Sequence, residues 1–239
     1  MFGRFRKSET QPDGVVVFIQ DITEEVRREQ EIRTKSAMIQ EVHHRVKNNL
    51  QTVASLLRME ARRVGSDEAR DTLRRTMARI SSVAVVHEFL SRGEGDDIDI
   101  RDICIRITAQ VREEAEARGR PVDIFVEGAP FALPAQQATS CALAMNELLE
   151  NAIEHGFANG NGGSIRIFLG RNDMSTTIEI RDDGIGLPEG FDPDSCATLG
   201  LRLVHTLVED DLKGRLHLLS SNGTTARISF PADLSRPLA

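Results

Sequence analysis

The chain has 239 residues, a formal net charge of −7 at pH 7, 40% hydrophobic residues and 28% charged residues. This composition is ordinary for a globular protein and excludes a disordered chain. No apolar run approaches the roughly 20 residues of a membrane span, and the first residues lack the apolar core of a signal peptide, so we expect a cytoplasmic protein without membrane contact. Three widely spaced cysteines, Cys104, Cys141 and Cys196, fit a reducing compartment and exclude a disulfide framework.

The charge is distributed unevenly along the chain. Residues 1–95 hold 17 basic and 14 acidic side chains, whereas residues 96–239 hold 13 basic and 23 acidic ones. This shift predicts two modules. The acidic second module, in a chain with no Trp and no Tyr, suits nucleic acid poorly, because phosphates attract clustered Lys and Arg and bases stack on aromatic rings. We expect no nucleic-acid partner.

The first module begins with a predicted strand over 14–19 and a long helix from Ile22 to about Arg63. Asp21 and Glu24 occupy capping-box positions at the start of that helix. The apolar side chains of the helix recur at helical spacing and form one stripe, which consists of Ile32, Ile39, Val42, Val46, Leu50, Val53 and Leu57. A helix of about 40 residues is roughly 60 Å long.

A second helix follows a break at Gly65. Asp67 is its predicted N-cap, and it extends to about Leu90. Two long helices joined by a short turn make an αα-hairpin whose apolar stripes stay half exposed in a single chain. Pairing two hairpins into a four-helix bundle buries those stripes, so we expect a homodimer.

The second module alternates helices and strands after a Gly- and Asp-rich linker at 91–97. The predicted helices are 100–118, 134–155 and 200–209, and the predicted strands are 122–126, 165–169, 177–180, 215–219 and 225–230. This order indicates a two-layer α/β sandwich with mostly antiparallel neighbouring strands. The fold class is therefore an all-α helical hairpin followed by an α/β sandwich.

Two segments of the second module place polar groups and glycines where a ligand could bind. Glu147, Asn151 and His155 recur every four residues and should share one helix face. Asp182 directly follows a strand, and Gly184 and Gly186 after it permit a ligand to approach the backbone closely.

Two further segments complete a candidate nucleotide site. Thr198-Leu199-Gly200-Leu201 opens a helix and offers backbone N–H groups to phosphates. Thr224 belongs to a tight turn, 222–225, between the last two strands. Each segment alone is typical of ordinary surface or turn structure, but their conjunction in this order is specific.

These four segments resemble the N, G1, G2 and terminal Gly-Thr boxes of the ATP-binding fold shared by histidine kinases, gyrase, the Hsp90 chaperones and MutL. The run from His44 to Gln51 reads HRVKNNLQ and is similar to the phosphoacceptor box of one histidine-kinase subfamily. Together the resemblances cover about residues 20–231. The His43-His44 pair and the segment 52–63 resemble actinobacterial kinases that signal to antiterminator-type regulators.

The resemblance implies a role for each matched residue. His44 would be the phosphorylated histidine, and Asn151 would hold Mg²⁺ against the phosphates of ATP. Asp182 would accept a hydrogen bond from the adenine amino group. The remaining positions of the implied nucleotide pocket are His155, Gly184, Gly186, Gly200 and Thr224.

One departure from the family concerns the general base. Many histidine kinases carry an acidic residue directly after the phosphoacceptor, where this chain has Arg45. Glu41, one turn earlier on the same helix, and Glu147 in the second module are both candidates for that role. Of the other histidines, His43 is expected to be a solvated neighbour of His44, and His87 a residue at the core edge of the second helix.

The resemblance also implies an organisation and partners. Residues 1–20 resemble the exit strand of an upstream PAS-like sensor, 21–95 would form the signalling helix with the dimerisation and phosphotransfer hairpin, and 96–239 the catalytic ATP-binding domain. The expected function is a sensor histidine kinase that uses Mg-ATP and transfers phosphate to an aspartate in the receiver domain of a response regulator. The alternatives are a serine kinase of the anti-sigma-factor type and a non-catalytic ATP-binding scaffold.

Overall fold

The computed structural model describes residues 2–5, 14–17, 20–92, 97–158, 162–191 and 198–232, with the backbone alone for 2–5 and 14–17. The chain divides into two compact units, Met1–Ile39 and Gln40–Ala239. None of the helices in the described part of the chain is long and apolar enough to cross a membrane.

The first unit contains a two-stranded antiparallel sheet of β1 (Phe2–Phe5) and β2 (Gly14–Val17). The predicted strand at 14–19 is confirmed over β2, and its last two residues lie outside the described part. Helix α1 (Thr23–Arg63) begins in this unit. The Asp21 carboxylate accepts the Thr23 N–H at 2.9 Å, and hydrogen bonds from the Thr23 side chain and backbone lower the pKa of Asp21.

The second unit starts with a helical hairpin formed by the C-terminal part of α1 and helix α2 (Asp67–Ser91). The N-cap of α2 is Ser66 and not the predicted Asp67, because the Ser66 hydroxyl accepts the Ala69 N–H at 3.3 Å. Asp67 is the first helical residue. The two helices are joined near the opposite end by a contact of 3.5 Å between Lys47 Nζ and a Glu88 carboxylate oxygen.

The predicted apolar stripe of helix α1 is covered only in part. Leu50 and Leu57 of the stripe are half-buried, and Ala54 and Ala61 beside them are buried. Val42 and Val53 of the same stripe stay exposed, at 57% and 44%, as do Leu56 and Met59 on the adjoining side of the helix, at 52% each. Part of the apolar surface of α1 therefore stays open among the residues described.

The α/β region begins with β3 (Asp97–Asp99), α3 (Ile100–Ala117), β4 (Val122–Gly128) and β5 (Ala132–Pro134). Helix α4 (Ala135–Asn151) follows and continues as a π-helical turn, Ala152–Gly156. The remaining elements are β6 (Gly163–Arg171), β7 (Ser175–Asp182), α5 (Leu199–Thr206) with a π-helical extension (Leu207–Asp211), β8 (Arg215–Ser220) and β9 (Thr224–Pro231).

Five of these strands form one sheet in the order β4-β6-β7-β9-β8. The pair β4–β6 is parallel and the other three pairs are antiparallel. The helices cover one face, and the core between the layers is built from large, fully buried side chains: Ile103, Ile107, Met145, Leu149 and Ile153 from the helices, and Ile165, Ile167, Leu169, Ile178 and Ile228 from the sheet. The predicted two-layer α/β sandwich is confirmed.

The short strands β3 and β5 were not predicted. They pair only with each other, and Ile98 lies opposite Leu133 in their register. Both of these side chains are buried. A strand of three residues has too few positions to show an alternating pattern, so its presence depends on the partner strand and not on its own sequence.

Candidate active site

A cavity of about 600 Å³ lies between the helix layer and one end of the sheet. Its walls are mostly apolar, and its polar lining residues are Asn151, His155, Asp182, Thr198 and Thr224. The lining residues come from α4, the π-helical turn, β7, the segment 185–191, α5 with its N-cap, β8 and β9. An apolar cleft with a few convergent polar groups is the usual form of a small-molecule site.

Asp182 is the buried polar group of this cavity. It ends β7 and is 5% exposed. Its Oδ1 atom accepts the Gly184 N–H at 2.9 Å and the Thr224 N–H at 3.1 Å. Two backbone donors thus orient the carboxylate, and its second oxygen is left as an acceptor for a ligand donor in the cavity.

The glycines after Asp182 shape the adjoining backbone. Gly186 has a φ of +78°, and a Cβ there would lie 2.6 Å from Ser220 Oγ. Gly184 packs against the backbone of Gly156, whose carbonyl accepts the Ile185 N–H at 3.0 Å. Gly186 lines the cavity, whereas Gly184 lies next to it and is not among the described lining residues.

Ser220 and Gly156 are site residues that the sequence analysis missed. The Ser220 hydroxyl accepts the Leu187 N–H at 3.0 Å, which holds the start of the segment after Gly186. Gly156 ends the π-helical turn, and a Cβ there would be 3.2 Å from Asp182 Oδ1. Such π-helical turns often occur at functional sites. No pattern in the sequence predicted this one.

The predicted common face of Glu147, Asn151 and His155 is only partly observed. Asn151 and His155 line the cavity, and Glu147 is not among its described lining residues. Glu147 is 5% exposed, and its two carboxylate oxygens accept hydrogen bonds of 2.7 Å each from Arg79 of α2. The structure thus separates Glu147 from the other two residues because a basic side chain from the hairpin occupies its carboxylate.

The first turn of α5 borders the same region. Thr198 is the N-cap of α5, and its hydroxyl accepts the Leu201 N–H at 3.3 Å. Gly200 is buried beside Glu147, since a Cβ on Gly200 would lie 2.5 Å from Glu147 Oε2. Thr198 therefore has a structural role as the cap of α5.

His44 is exposed on α1 and does not line the cavity. Its Nδ1 atom is 3.4 Å from the Asn48 amide nitrogen, one turn later on the helix. Glu41 is also exposed, and the Arg45 guanidinium donates to its carboxylate at 2.7 Å. That hydrogen bond, with the charge of Arg45, lowers the pKa of Glu41, so Glu41 is a weaker base than an isolated glutamate.

His43 is not the solvated neighbour that the sequence predicts. It is half-buried against α2, and its Nδ1 atom lies 3.1 Å from Nδ1 of His87. Burial and then the charge of His43 lower the pKa of His87. His87 lies at the edge of the core, as predicted, because it belongs to the half-buried face of α2.

Comparisons with known proteins agree with these features. Residues 41–115 match the family described as "Histidine kinase", and residues 136–234 match the family described as "Histidine kinase-, DNA gyrase B-, and HSP90-like ATPase". The sensor histidine kinase PdtaS of Mycolicibacterium smegmatis is 39% identical over 221 residues, which are 91% of this chain. The chain belongs to the histidine kinase family.

Other histidine kinases show the same relationship at lower identity. Blue-light-activated histidine kinase 2 of Erythrobacter litoralis is 26% identical over 83% of this chain. The solved histidine kinase domain of the Erythrobacter litoralis EL346 blue-light-activated kinase covers 84% of this chain and 94% of its own, with a TM-score of 0.60 and 24% identity, and shares the fold. The chain spans about 44% of the length of the mycobacterial PdtaS relatives.

Proposed function

We propose that this chain is the kinase portion of a sensor histidine kinase, which transfers the γ-phosphoryl group of ATP to His44 and then to an aspartate of a receiver domain. The observation that carries the proposal is the conjunction of a cavity organised around an oriented, buried Asp182 with an exposed histidine on a helical hairpin. The proposal explains why His44 is exposed, since it must meet both a nucleotide and a partner protein.

Different walls of the cavity suit the adenine base and the phosphates of ATP. The free oxygen of Asp182 can accept the adenine amino group, with Ile180 and Leu218 as apolar walls for the ring. Asn151 and His155 lie on the helical side, and Thr198, the N-cap of α5, also lines the cavity. Helix N-termini and neutral donors stabilise phosphate oxygens.

Asn151 fits the role of a magnesium ligand. It is half-buried and lines the cavity, and its amide oxygen is the type of hard ligand that Mg²⁺ prefers. Magnesium sites in phosphotransferases commonly combine one or two protein oxygens with substrate phosphates and water. When bound, the ion would neutralise charge on the phosphates.

The reaction forms a bond between an imidazole nitrogen of His44 and the γ-phosphorus and breaks the bond to the ADP leaving oxygen. The imidazole must be neutral to attack, because only an unprotonated ring nitrogen has the lone pair that forms the bond to phosphorus. The imidazole N–H that remains loses its proton to a base, for which Glu41 and Glu147 are the candidates. Subsequent attack by an aspartate carboxylate of the regulator on the phosphorus breaks the N–P bond. The leaving imidazole takes up a proton, which returns His44 to its neutral form.

A homodimer of this chain would bury the exposed apolar residues of α1. Val42, Val53 and Leu56 lie on one side of the helix, and at about 100° per residue His44 points roughly 150° away from them. Pairing two hairpins through that side covers apolar area and leaves both phosphoacceptors accessible to a receiver domain.

The organisation proposed for the chain has three parts. Residues 1–20 are assigned to the end of an upstream PAS-like sensor, 21–95 to the signalling helix and phosphotransfer hairpin, and 96–239 to the catalytic domain. A cytoplasmic location follows from the proposed partner, because receiver domains and ATP are found there.

Labelling with γ-³²P-ATP and Mg²⁺ tests the proposed function. We expect an acid-labile, alkali-stable label in the parent chain, its loss in His44→Gln, and its retention in His43→Gln, the matched control one residue away. Nucleotide affinity should be unchanged in His44→Gln, because His44 does not line the cavity. An acid-stable label would indicate a serine kinase, and the absence of label would indicate a scaffold; either result would contradict the proposal.

A further inference from the structure

The Arg79–Glu147 ion pair joins the hairpin to the α/β region. Arg79 donates through Nε and a terminal nitrogen to the two oxygens of Glu147, at 2.7 Å each. The side chains are 23% and 6% exposed. A two-pronged hydrogen bond between guanidinium and carboxylate is strong and directional, and burial protects it from screening by salt.

A second ion pair parallels the first. Arg75 lies one helical turn before Arg79 on α2 and contacts Glu154 of the π-helical turn after α4. Glu154 is 17% exposed and also lies 3.7 Å from Arg118. Arg75 and Arg79, on one face of α2, thus form ion pairs with Glu154 and Glu147, which lie on either side of Asn151 in the sequence.

The pairing occupies both carboxylate oxygens of Glu147. Each oxygen accepts a hydrogen bond from Arg79, so neither is directed at a ligand in the cavity. Glu147 lies one turn before Asn151, which lines the cavity, and its carboxylate packs over Gly200 in the first turn of α5. In this position the carboxylate is bound by Arg79 and does not line the cavity.

The pair also marks the level at which the α/β region rests on α2, where Val86 of α2 is buried in the core of that region. His43 contacts His87, so His44 lies near the level of residue 87 on the hairpin. Arg79 is eight residues earlier, which corresponds to about 12 Å along the helix at 1.5 Å per residue. Glu147 is therefore held about two turns of helix away from the level of its own His44.

We propose that Arg79, assisted by Arg75, is a latch that holds the ATP-binding region in a resting position on α2 and must release Glu147 before Glu147 can serve as the base for His44. This inference rests on the proposed function. Release lets the region move along the hairpin, and the carboxylate of Glu147 then accepts the imidazole proton of His44 while the phosphoryl group is transferred. A signal that displaces α2 relative to α4 would break both ion pairs together.

Arg79→Ala is the direct test. Removing one partner of a buried pair leaves an uncompensated charge, which favours separation of α2 from α4. In the γ-³²P-ATP assay we expect kcat to rise about three- to tenfold, with KM for ATP changed less than about twofold. Arg79→Lys keeps the charge but loses the planar fork, so its rise should be smaller.

Three further variants separate release from chemistry. Arg75→Ala breaks only the second ion pair and should also raise kcat, although it does not touch Glu147. Arg70→Ala on the same helix is the matched control, since its hydrogen bonds go to Asp67 and the Val64 carbonyl in the hairpin turn. Glu147→Gln should lose labelling in the parent and equally in the Arg79→Ala background, because the base is then absent.

Hydrogen exchange provides a readout that does not depend on kinase activity. Without nucleotide, Arg79→Ala should speed exchange of peptides covering 75–86 and 145–151, and Arg70→Ala should not. Unchanged exchange, or a kcat at or below the parent value in both Arg79 variants, would overturn the latch. Absence of acid-labile label in the parent would instead contradict the proposed function and leave the exchange result to decide the latch.

Discussion

Asp182 and Asp183 are adjacent acidic residues with different surroundings. Asp182 lines the cavity and is anchored by the N–H groups of Gly184 and Thr224. Asp183 instead binds Ser164 through the backbone N–H at 2.8 Å and the hydroxyl at 2.7 Å. Desolvation opposes ionisation of Asp183, but these hydrogen bonds prevail and lower its pKa. The pair therefore offers an internal control for ligand binding.

We expect Asp182→Asn to weaken ATP binding by about ten- to a hundredfold, because a hydrogen bond to a charged group contributes roughly 1.5–3 kcal/mol. Asp183→Asn should stay within about threefold of the parent, since Ser164 and not the cavity occupies that carboxylate. Titration calorimetry with a non-hydrolysable ATP analogue measures both. Equal losses in the two variants would show that nucleotide does not bind against Asp182.

At the scale of elements, the contact between α1 and α2 next to the phosphoacceptor is built from ionisable groups. Glu88 of α2 accepts from Arg92 at 2.9 Å and from Arg106 of α3 at 3.0 Å, and it lies 3.5 Å from Lys47. Beside it, the Nδ1 atoms of His43 and His87 face each other at 3.1 Å, so that one of them must accept from the other. We therefore expect the hairpin to be sensitive to acid at this level.

The direction of this pH effect on stability follows from the pKa of His87. Burial, and then the charge of His43, lower that pKa in the folded protein. The unfolded chain binds the proton more tightly than the folded one, so stability is lost as pH falls through the ordinary histidine pKa of about 6.5. We expect the melting temperature to fall less between about pH 7.5 and about pH 5.5 in His87→Gln than in the parent.

His217 supplies the control for that experiment, because it is exposed and belongs to β8, outside the hairpin. His217→Gln should follow the parent curve. If His87→Gln also followed it, titration of the histidine pair would have no part in the stability of the hairpin.

At the scale of the whole molecule, the exposed apolar residues of α1 determine the expected assembly. Val53 and Leu56 are 44% and 52% exposed, which is unusual for two neighbouring apolar side chains on one face. We expect the parent chain to sediment as a dimer at micromolar concentration and Val53→Asp/Leu56→Asp to sediment as a monomer, since two charges would be buried at the interface.

Ile105 on α3 is 48% exposed and provides a control of matched exposure outside the hairpin. Ile105→Asp should remain dimeric. A monomeric parent, or dissociation caused equally by Ile105→Asp, would refute assembly through the hairpin.

Most elements could be predicted because their signals are local. The stop at Gly65 and the apolar spacing of 73–90 predicted α2 nearly as it is observed. Alternation predicted β6 and β7, which the structure extends by a few residues at each end. The N-cap of α2 was predicted one residue late because both Ser66 and Asp67 can cap, and the choice depends on which side chain reaches the Ala69 N–H.

The sequence by itself determined the family, the order of helices and strands, and the residue types of the nucleotide cavity, since periodicity, turn residues and motif spacing are read from neighbours along the chain. Only the tertiary structure decided which groups meet. Arg79 and Glu147 are 68 positions apart, and His43 and His87 are 44 apart. The spacing of residues in a helix predicts which side chains share a face, but it does not predict which element that face contacts. That contact depends on the packing of elements, and here it places the carboxylate of Glu147 against Arg79 of α2.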